Sequence, residues 1–343
     1  MKFKNLTFIL AVLLIAAVAL GSVSAAEDIA DDTLAIDDVA EVEEVSEAPA
    51  VTDIDEGSEI EVDDSPDTIL EDETFINVNS DSDLDTVKSQ IATGGYTFNF
   101  TATTFDISTN VGNNTVLIGN GATLSTTNNY VFNVSNVSGF SISGFNFYAS
   151  GAKSYGIVGT NASNGVIDNC NFYNTRDGIN INQRYENLTI TNNHFTNVTR
   201  DAISLVNHLT MTDADLDNFV ASTINGNTIN GAEYGMFFGG NFKGVICSNN
   251  ISGADYGIEF AGKKAATNGR LNVTICNTRI TDVGIGIHLN HPAIEYLHLK
   301  NDYISASTNS ILTGSYFHKT GHIYVTNLTF SGTIDPIFIS NLG

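Results

Sequence analysis

The chain contains few cysteines and few cationic residues. Its 343 residues include three cysteines, Cys170, Cys247 and Cys276. This odd number leaves at least one cysteine unpaired and provides no disulfide framework. No Cys-x-x-Cys pair is present, so a structural zinc site is not expected. Lys and Arg number 14 against 39 Asp and Glu, a formal net charge of −25, which disfavours nucleic acid as a partner.

Long hydrophobic runs are also scarce, and the clearest one stands near the N-terminus. The apolar stretch Phe8–Leu20 follows Lys2 and Lys4 and precedes the small residues of "SVSAAE". It is shorter than the roughly 20 residues that span a bilayer, and its flanks are typical of a cleaved secretory signal. We therefore predict a signal peptide over residues 1–26 and a secreted or cell-surface protein. No transmembrane segment is predicted in the mature chain.

Most of the acidity lies in the segment that follows. Residues 27–73 carry 21 acidic residues and no Lys or Arg, whereas the chain from Thr74 onward carries 18 acidic and 12 basic residues. Such a segment cannot bury enough apolar surface to offset its ordering entropy, and its charges repel one another. We predict a disordered acidic linker over residues 27–73 that acts as a solubilising stalk. Divalent-ion binding, or spacing from an acidic wall, is the alternative role.

A repeat dominates residues 74–343. In each copy an Ile, Val or Leu is followed five positions later by Phe or Ile, and the second anchors are 25, 23, 34, 22, 29, 24 and 26 residues apart. This period, with short β-rich runs, is typical of a solenoid. Helical solenoids need a sustained 3.6-residue period, which is missing. The anchor pairs are Ile142/Phe147, Ile167/Phe172, Ile190/Phe195, Ile224/Ile229, Ile246/Ile251, Ile275/Ile280, Leu299/Ile304 and Val325/Phe330, after a looser copy at Ile118/Leu124. A further apolar residue follows the second anchor at Ile179, Met236, Ile258, Ile287, Ile311 and Ile337.

Polar or small residues mark one corner of each copy, two positions after the first anchor. Asn and Gly tolerate positive φ, which a tight left-handed corner requires, and stacked Asn side chains can bond along the axis. Coils stacked about 4.8 Å apart then give an all-β, right-handed parallel β-helix, a single-stranded solenoid. The predicted Asn ladder comprises Asn169, Asn192, Asn277, Asn301 and Asn327, with Gly144, Gly226 or Ser248 in other copies.

The N-terminal end of the solenoid has its own pattern. "DLDTVKSQI" (Asp83–Ile91) reads as a short amphipathic helix, and such a helix covers the exposed first coil. "DSDLD" (Asp81–Asp85) supplies residues suited to helix N-capping. At the other end the last coil is followed by Pro336 and a short tail that blunts the edge, unless the chain is a shortened member of a longer family.

One resemblance is specific. The signal, the acidic leader and "TFINVNSDSDLDTVKSQI…GGYTFNFT…VLIGNGATL" resemble the adhesin-like, right-handed β-helix surface proteins of gut methanogenic archaea. The coils are similar to the pectate-lyase-like superfamily repeat. The resemblance covers about Phe75 to the end and implies a β-helix at a cell surface. Its motifs specify the fold far better than an activity.

Two insertions indicate where a ligand would bind. The 34- and 29-residue spacings place them at Asn207–Ser222 and Gly262–Arg270, and both follow the Gly–Ile strand of their coil. We therefore expect them at one corner, as a lateral ridge that binds a carbohydrate or a cell-surface protein. The alternative is solvated loops with anchoring aromatics. The ridge residues predicted to contact a ligand are Tyr185, His208, Asp213, Asp215, Asp217, Phe242, Lys243, Lys263, Lys264 and Arg270.

No cofactor is predicted apart from Ca²⁺. Asp213, Asp215 and Asp217 alternate like the opening of a calcium loop, but Asn218 stands where glycine is usual and Ile224 where the closing Glu would be. Several Asn-x-Ser/Thr sequons could carry glycans in an exported chain, although the same residues are common at β-helix corners. The sequons predicted for glycosylation begin at Asn133, Asn161, Asn187, Asn197 and Asn272.

Two Arg–Asp pairs are the candidates for a catalytic role. Arg176–Asp177 recurs as Arg200–Asp201, one coil later and shifted by one residue against the repeat. If the two copies stack, their carboxylates lie about 5 Å apart, which suits a retaining glycosidase. A lyase would instead use Arg176, Arg200 or Lys243 as its base. Each Asp has its own Arg neighbour, however, which favours a salt-bridged corner.

Three functions follow from these patterns. The favoured one is an exported, non-catalytic, adhesin-like protein that binds polysaccharide or a surface partner. The first alternative is a polysaccharide lyase or glycoside hydrolase acting on an acidic polysaccharide, with Asp177, Asp201, Arg200 and Lys243 as catalytic candidates. The second is a structural spacer. Cys247 and Cys276 hold the same repeat position in adjacent coils, so they form either a disulfide or a buried pair of thiols.

Overall fold

The computed structural model describes residues 75–342, with gaps at 151–152, 208, 210–214, 216, 263–269, 292, 316 and 318. All of these residues lie within the unit Asp67–Gly343. The predicted signal peptide (residues 1–26) and acidic linker (27–73) lie outside the described residues.

The described residues form a right-handed parallel β-helix of 24 strands with two short helices. The helices are α1 (Asp81–Thr93) and α2 (Pro336–Ile339). The strands are β1 (Phe75–Val78), β2 (Thr97–Phe100), β3 (Thr104–Asp106), β4 (Thr109–Asn110), β5 (Val116–Ile118), β6 (Thr123–Thr126), β7 (Tyr130–Asn133), β8 (Ser141–Ser143), β9 (Asn146–Ala149), β10 (Tyr155–Asp168), β11 (Asn171–Tyr173), β12 (Asp177–Thr191), β13 (His194–Thr196), β14 (Asp201–Asn207), β15 (Ser222–Asn225), β16 (Thr228–Gly240), β17 (Phe242–Cys247), β18 (Asn250–Ala261), β19 (Leu271–Cys276), β20 (Arg279–Asn290), β21 (Ile294–Lys300), β22 (Tyr303–Thr313), β23 (Lys319–Thr326) and β24 (Thr329–Ile334).

Parallel pairing between successive coils divides the solenoid into three faces. Face A contains β14 together with segments of β10, β12, β16, β18 and β20. Each of these strands pairs with the strand of the next coil, in the order β10, β12, β14, β16, β18, β20. Face B contains β5, β8 and the last residues of β10 and β12, followed by β15, β17, β19, β21 and β23. Face C contains β3, β6, β9, β11 and β13 and continues into the first residues of β16. Alternate residues of each strand point inward, so one row of each face enters the core.

The predicted anchors form the core rows. Ile142, Ile167, Ile190 and Ile224 follow one another in register on face B. On face C the rings of Phe147, Phe172 and Phe195 stack with centroids 4.6 and 4.8 Å apart and planes within 5°. All of these residues are buried. Identical inward residues at one repeat position therefore pack directly on one another, which explains the regular spacing in the sequence.

Two anchors were placed on the wrong residue. Leu117, rather than Ile118, pairs with Ile142 and is fully buried. Gly119–Gly121 then makes a longer turn before Leu124. At the other end Ile334, rather than Ile337, pairs with Ile311, and Ile337 is 55% exposed. Both errors arise where the turn length departs from that of the central coils.

The predicted corner asparagines adopt the left-handed conformation, and all five have φ between 50° and 57°. Gly144, Gly226 and Ser248 have positive φ at the same corner. The Asn301 amide donates to Asn277 Oδ1 at 3.3 Å, and the Asn327 amide donates to Asn301 Oδ1 at 3.1 Å. The predicted hydrogen bonds between corner asparagines of successive coils are therefore formed near the C-terminal end. Earlier in the chain, the Asn192 amide donates to Asp168 instead.

A second asparagine ladder, inside the core, was missed by the sequence reading. Asn193, Asn227 and Asn249 each follow a corner residue by one position and are buried. The Asn193 and Asn227 amides donate to the next ladder oxygen at 3.1 and 3.0 Å. The Asn227 amide also donates to the Ile190 carbonyl at 2.9 Å. These bonds satisfy backbone groups that the tight corner would otherwise leave unpaired in the core.

The helices cover the ends. Leu84, Val87 and Ile91 of α1 are buried at helical spacing, so α1 covers the first coil. The N-cap is Ser80, whose Oγ accepts from the Asp83 N–H at 3.2 Å, so the cap lies one residue before the predicted acidic run. In α2, Phe338 is buried.

The cysteine alternatives are resolved in this structure. Cys247 and Cys276 form a disulfide between adjacent strands of face B, with Cα atoms 4.5 Å apart. Cys170 is a buried free thiol, and burial raises its pKa to about 12. Among the described residues, no helix has the length and apolar composition required to cross a membrane.

Candidate functional site

The two Arg–Asp pairs lie side by side at the start of face A. Ile179 pairs with Ile203, which sets Asp177 opposite Asp201 without the expected shift. The Asp201 N–H donates to Asp177 Oδ1 at 3.3 Å, and the Arg200 N–H donates to the Arg176 carbonyl at 2.8 Å. The additional residue of the later coil is accommodated in the turn before Arg200.

Asp177 pairs more closely with the arginine of the next coil than with its own neighbour, since Arg176 Nη1 lies 3.9 Å from Asp177 Oδ2. Arg200 Nε and Nη2 donate to the two Asp177 oxygens at 2.9 and 2.8 Å, and the Asn180 amide donates to Oδ2 at 3.1 Å. Arg176 instead donates to the Tyr155 hydroxyl at 3.0 Å. Asp177 is fully buried. The predicted pairs of one Arg with each Asp are present, at 3.9 Å for Arg176–Asp177 and 3.0 Å for Arg200–Asp201, and the shorter Arg200–Asp177 bonds add a clamp between coils.

Asp201 differs from Asp177 although both contact Arg200. Its Oδ2 lies 3.0 Å from Arg200 Nη2, and its side chain is 7% exposed. Burial raises the Asp201 pKa to about 6; the nearby Asp177 charge adds to this shift and Arg200 opposes it. Asp201 is therefore the less buried carboxyl group of this pair, and it holds a proton at mildly acidic pH.

An open cavity of about 400 Å³ lies over these residues on face A. Its aromatic walls are Tyr155, Tyr234 and Phe237, and Arg200 and Asp201 line its floor. Further polar groups come from Asn180, Asn182 and Ser204. We refer to this cavity as the face A groove. It combines aromatic rings with hydrogen-bonding groups, the usual composition of a small-molecule site.

A row of stacked rings extends from the groove along the axis. Tyr234 stacks on Tyr256 with centroids 4.9 Å apart, and Tyr256 stacks on His288 at 5.8 Å. Burial, with the charges of Glu233 and Glu259, raises the Tyr234 pKa to about 12, so its hydroxyl stays protonated. His288 Nδ1 lies 2.5 Å from Glu259 Oε2. The sequence analysis did not place these residues in a site, although Tyr234 and Tyr256, 22 residues apart, and Glu259 and His288, 29 residues apart, are partners in successive coils.

The predicted ridge is partly assembled at the corner between faces A and B. Asp217, Lys243 and Arg270 line a cavity of about 110 Å³ there, together with Glu295. Arg270 Nη1 lies 3.6 Å from Asp217 and 3.7 Å from Glu295. The Lys243 ammonium donates to the Asp217 carbonyl at 3.4 Å. Among the described ridge residues, the charge of Arg270 is therefore paired with two carboxylates.

Two predicted ridge aromatics are core residues. Tyr185 is fully buried and donates its hydroxyl to the Asn241 carbonyl at 2.9 Å. Phe242 is 2% exposed and packs on Phe238 with centroids 4.3 Å apart. Neither ring offers a face to a ligand. The insertion covers Tyr185 through Phe219, at a centroid distance of 5.8 Å.

The remaining ridge predictions are not tested by the structure. His208, Asp213, Lys263 and Lys264 lie outside the described residues. Asp215 and Asp217 are exposed, and a Ca²⁺ site with Asp213 stays a prediction.

Three predicted glycosylation sites have their amides engaged in this structure. Asn133, Asn161 and Asn187 donate to Asn110, Asn136 and Asn164 of the preceding coil at 3.0, 2.9 and 2.7 Å. Asn272 lines the ridge cavity, and Asn197 adopts positive φ. Modification at any of these sites stays a prediction.

The chain is similar to known right-handed β-helix proteins. Residues 130–272 match the family model described as "Right handed beta helix region". The A-module of mannuronan C-5 epimerase AlgE4 from Azotobacter vinelandii is 12% identical with a TM-score of 0.54; the match covers 75% of this chain and 86% of that one. A polygalacturonase from Erwinia carotovora ssp. carotovora is 12% identical with a TM-score of 0.46, covering 78% and 95%.

These likenesses establish the fold alone. Sequence identity is 12% in both cases, so neither likeness indicates an activity for this chain. A sequence comparison with curated proteins gives no match. The residues of the face A groove must therefore be interpreted from their own geometry.

Proposed function

We propose that the protein is an exported, adhesin-like surface protein that binds polysaccharide in the face A groove without chemical turnover. The observation that carries this proposal is the groove itself, in which Tyr155, Tyr234 and Phe237 share one open cavity with amide, hydroxyl and carboxyl groups. Sugars present apolar C–H faces that pack on aromatic rings, and hydroxyls that pair with such polar groups.

The ridge supports a binding role for the same face. Strand β14 ends at Asn207 and β18 at Ala261, and each is followed by an insertion at the A–B corner. The described ridge residues Asp217, Lys243 and Arg270 line one cavity at this corner, where the face A strands end. A polymer lying across face A would reach these charged groups at the end of the face A strands. A cell-surface protein remains the alternative partner.

The charges of the groove favour a neutral polymer over a strongly acidic one. Arg176 and Arg200 are matched by Asp177 and Asp201, and Arg200 is bonded to both carboxylates. A polyuronate would need cationic groups that are not already neutralised. This balance argues against the acidic substrate expected for a lyase.

Binding without turnover is supported by the state of Asp177. A retaining glycosidase needs one carboxylate that attacks and another that donates a proton. Asp177 is buried, and both of its oxygens accept hydrogen bonds from Arg200. It is therefore not available as a nucleophile.

The export part of the proposal rests on the sequence. The predicted signal peptide and acidic linker, and the resemblance to adhesin-like archaeal surface proteins, support a surface location. The epimerase named above uses a similar scaffold for a polysaccharide substrate, which lends support to a carbohydrate ligand here.

One observation favours a second function, a glycoside hydrolase or lyase. Asp201 lines the groove, and its pKa is raised to about 6, a value suited to a general acid near neutral pH. In such an enzyme Asp201 would protonate the leaving oxygen of the sugar chain, and Lys243 at the ridge would have no direct role.

The test measures binding and turnover on the same samples. The full chain is run through gels containing dextran, xylan or polygalacturonate, and each polymer is assayed for reducing ends and for absorbance at 235 nm. The groove variant Tyr234→Ala/Phe237→Ala is compared with Tyr96→Ala, which removes an exposed ring elsewhere. We expect retardation without products, lost in the groove variant alone. Products that disappear in Asp201→Asn would establish the enzyme instead. If the wild-type chain shows no retardation and yields no products, a structural spacer is favoured.

A further inference from the structure

A second cavity opens away from the face A groove, beside face C. Its volume is about 440 Å³, within the roughly 300–1,000 Å³ typical of small-ligand sites. Asp106, Ser125, Tyr148 and Tyr173 line it, with Asn174 at the following turn. None of these residues belongs to the groove or to the predicted ridge.

Four of these residues form one outward row across successive coils. Asp106 pairs with Ser125, Ser125 with Tyr148, and Tyr148 with Tyr173. The rings of Tyr148 and Tyr173 stack with centroids 4.9 Å apart and planes 17° apart. The row thus passes from a carboxylate to a small hydroxyl and then to two stacked rings.

The ring of Tyr148 has one covered face and one open face. Tyr173 covers the face toward the following coil. On the other side Ser125 occupies the row, and its side chain ends at a single hydroxyl, too short to cover an aromatic ring. Tyr148 is accordingly 41% exposed. The open face looks into the cavity.

Polar groups surround this open face. Asp106 is exposed, and no described residue donates a hydrogen bond to its carboxylate. The Ser125 hydroxyl makes only a long bond of 3.4 Å to the Phe105 carbonyl. Carboxylate and hydroxyl oxygens beside an exposed ring match the two surfaces of a pyranose, its C–H face and its equatorial hydroxyls.

We infer that this cavity is a second carbohydrate-binding site, in which a pyranose unit stacks on Tyr148 and its hydroxyls bond to Asp106 and Ser125. The inference rests on the proposed function only for the choice of polysaccharides as probes, because the two sites share no residue. Two sites on different faces allow one molecule to hold two segments of a polymer, which strengthens attachment without new contacts.

The test uses the full chain and gels containing dextran, xylan or polygalacturonate, from which a Kd is obtained for each polymer. Tyr148→Ala removes the platform, and Ser125→Phe covers its open face. Tyr148→Phe keeps the ring. Tyr96→Ala is the matched control, because Tyr96 is also 41% exposed. We expect Tyr148→Ala and Ser125→Phe each to raise Kd about tenfold for at least one polymer, and the other two variants to stay within about twofold.

The outcomes separate the two sites. Weaker binding in Tyr148→Ala and Ser125→Phe supports the second site, whether or not Tyr234→Ala/Phe237→Ala also binds more weakly. Wild-type affinity in Tyr148→Ala overturns it, even where the groove variant has lost binding. Equal weakening in Tyr96→Ala, or no binding of any polymer by the wild-type chain, also overturns it.

Discussion

Arg200 reaches back one coil and binds both carboxylate oxygens of Asp177, at 2.9 and 2.8 Å. The two residues are 23 positions apart, and Asp177 is fully buried whereas the Arg200 side chain is 34% exposed. This clamp joins β12 to β14 at the floor of the face A groove. It explains why one of two apparently equivalent Arg–Asp pairs is structural and why only Asp201 of the two carboxyl groups lines the groove.

Removing the buried partner should destabilise the β-helix. Asp177→Ala leaves the Arg200 guanidinium and the Asn180 amide without their shared acceptor, so we expect the free energy of unfolding to fall by about 3–5 kcal/mol. Urea unfolding followed by circular dichroism measures the change. Asp85→Ala is the control, since Asp85 pairs with Lys88 at the surface and should cost no more than about 1 kcal/mol. Similar losses in the two variants would contradict a buried clamp.

The proton affinity of Asp201 should depend on Asp177. The Asp177 charge contributes to raising the Asp201 pKa to about 6. Asp177→Asn removes that charge, and the Arg200 guanidinium then stabilises only the Asp201 carboxylate. The pKa of Asp201 should therefore fall by roughly one unit. Carboxyl ¹³C NMR titration of both proteins gives the values directly. An unchanged or higher Asp201 pKa in the variant would show that the two carboxyl groups are not coupled.

Stability should decline with rising pH through Asp302. Burial raises its pKa from 3.8 to about 6 in the folded chain, so the folded state binds this proton more tightly than the unfolded state. The resulting stabilisation is fully present below about pH 4 and is lost as the pH rises through 6, by about 1–3 kcal/mol. Asp302→Asn should flatten this part of the pH profile in urea titrations. Asp255→Asn, an exposed counterpart, should leave the profile unchanged.

The interior asparagine ladder should contribute strongly to stability. Asn227→Ala removes the side-chain bonds to the Ile190 carbonyl at 2.9 Å and to the Asn193 N–H at 3.0 Å, and one of the two bonds to Asn249 Oδ1, at 3.0 Å. We expect a loss of about 2–4 kcal/mol in the free energy of unfolding. Asn225→Ala, two residues earlier and partly exposed, should change it by less than about 0.5 kcal/mol. Thermal and urea unfolding distinguish the two, and equal effects would argue against the ladder.

The three cysteines should fall into two reactivity classes. Burial raises the Cys170 pKa to about 12, and the other two cysteines form the disulfide. Iodoacetamide should therefore label no cysteine in the native chain, Cys170 alone after denaturation, and all three after reduction. Reduction should also lower the free energy of unfolding by about 2–4 kcal/mol, because the bond closes a loop of 29 residues. Labelling of Cys247 before reduction would contradict the disulfide.

The coil register was predictable because identical side chains must stack at one repeat position. Ile142, Phe147 and their equivalents are buried one above another, so their spacing recorded the coil length directly. Prediction failed where turn length varied, at Leu117 and Ile334. It failed again at Tyr185, because a tyrosine beside a polar loop gives no signal that the insertion will cover it.

The sequence by itself determined the parallel β-helix, its left-handed corners and the place of its insertions, because these depend on residue spacing and on local backbone preference. The tertiary structure decided which polar residues meet. Arg200 and Asp177, Tyr148 and its uncovered face beside Ser125, and Glu259 with His288 all come from different coils. Their contacts depend on how turns of unequal length align the strands, and no local pattern records that alignment.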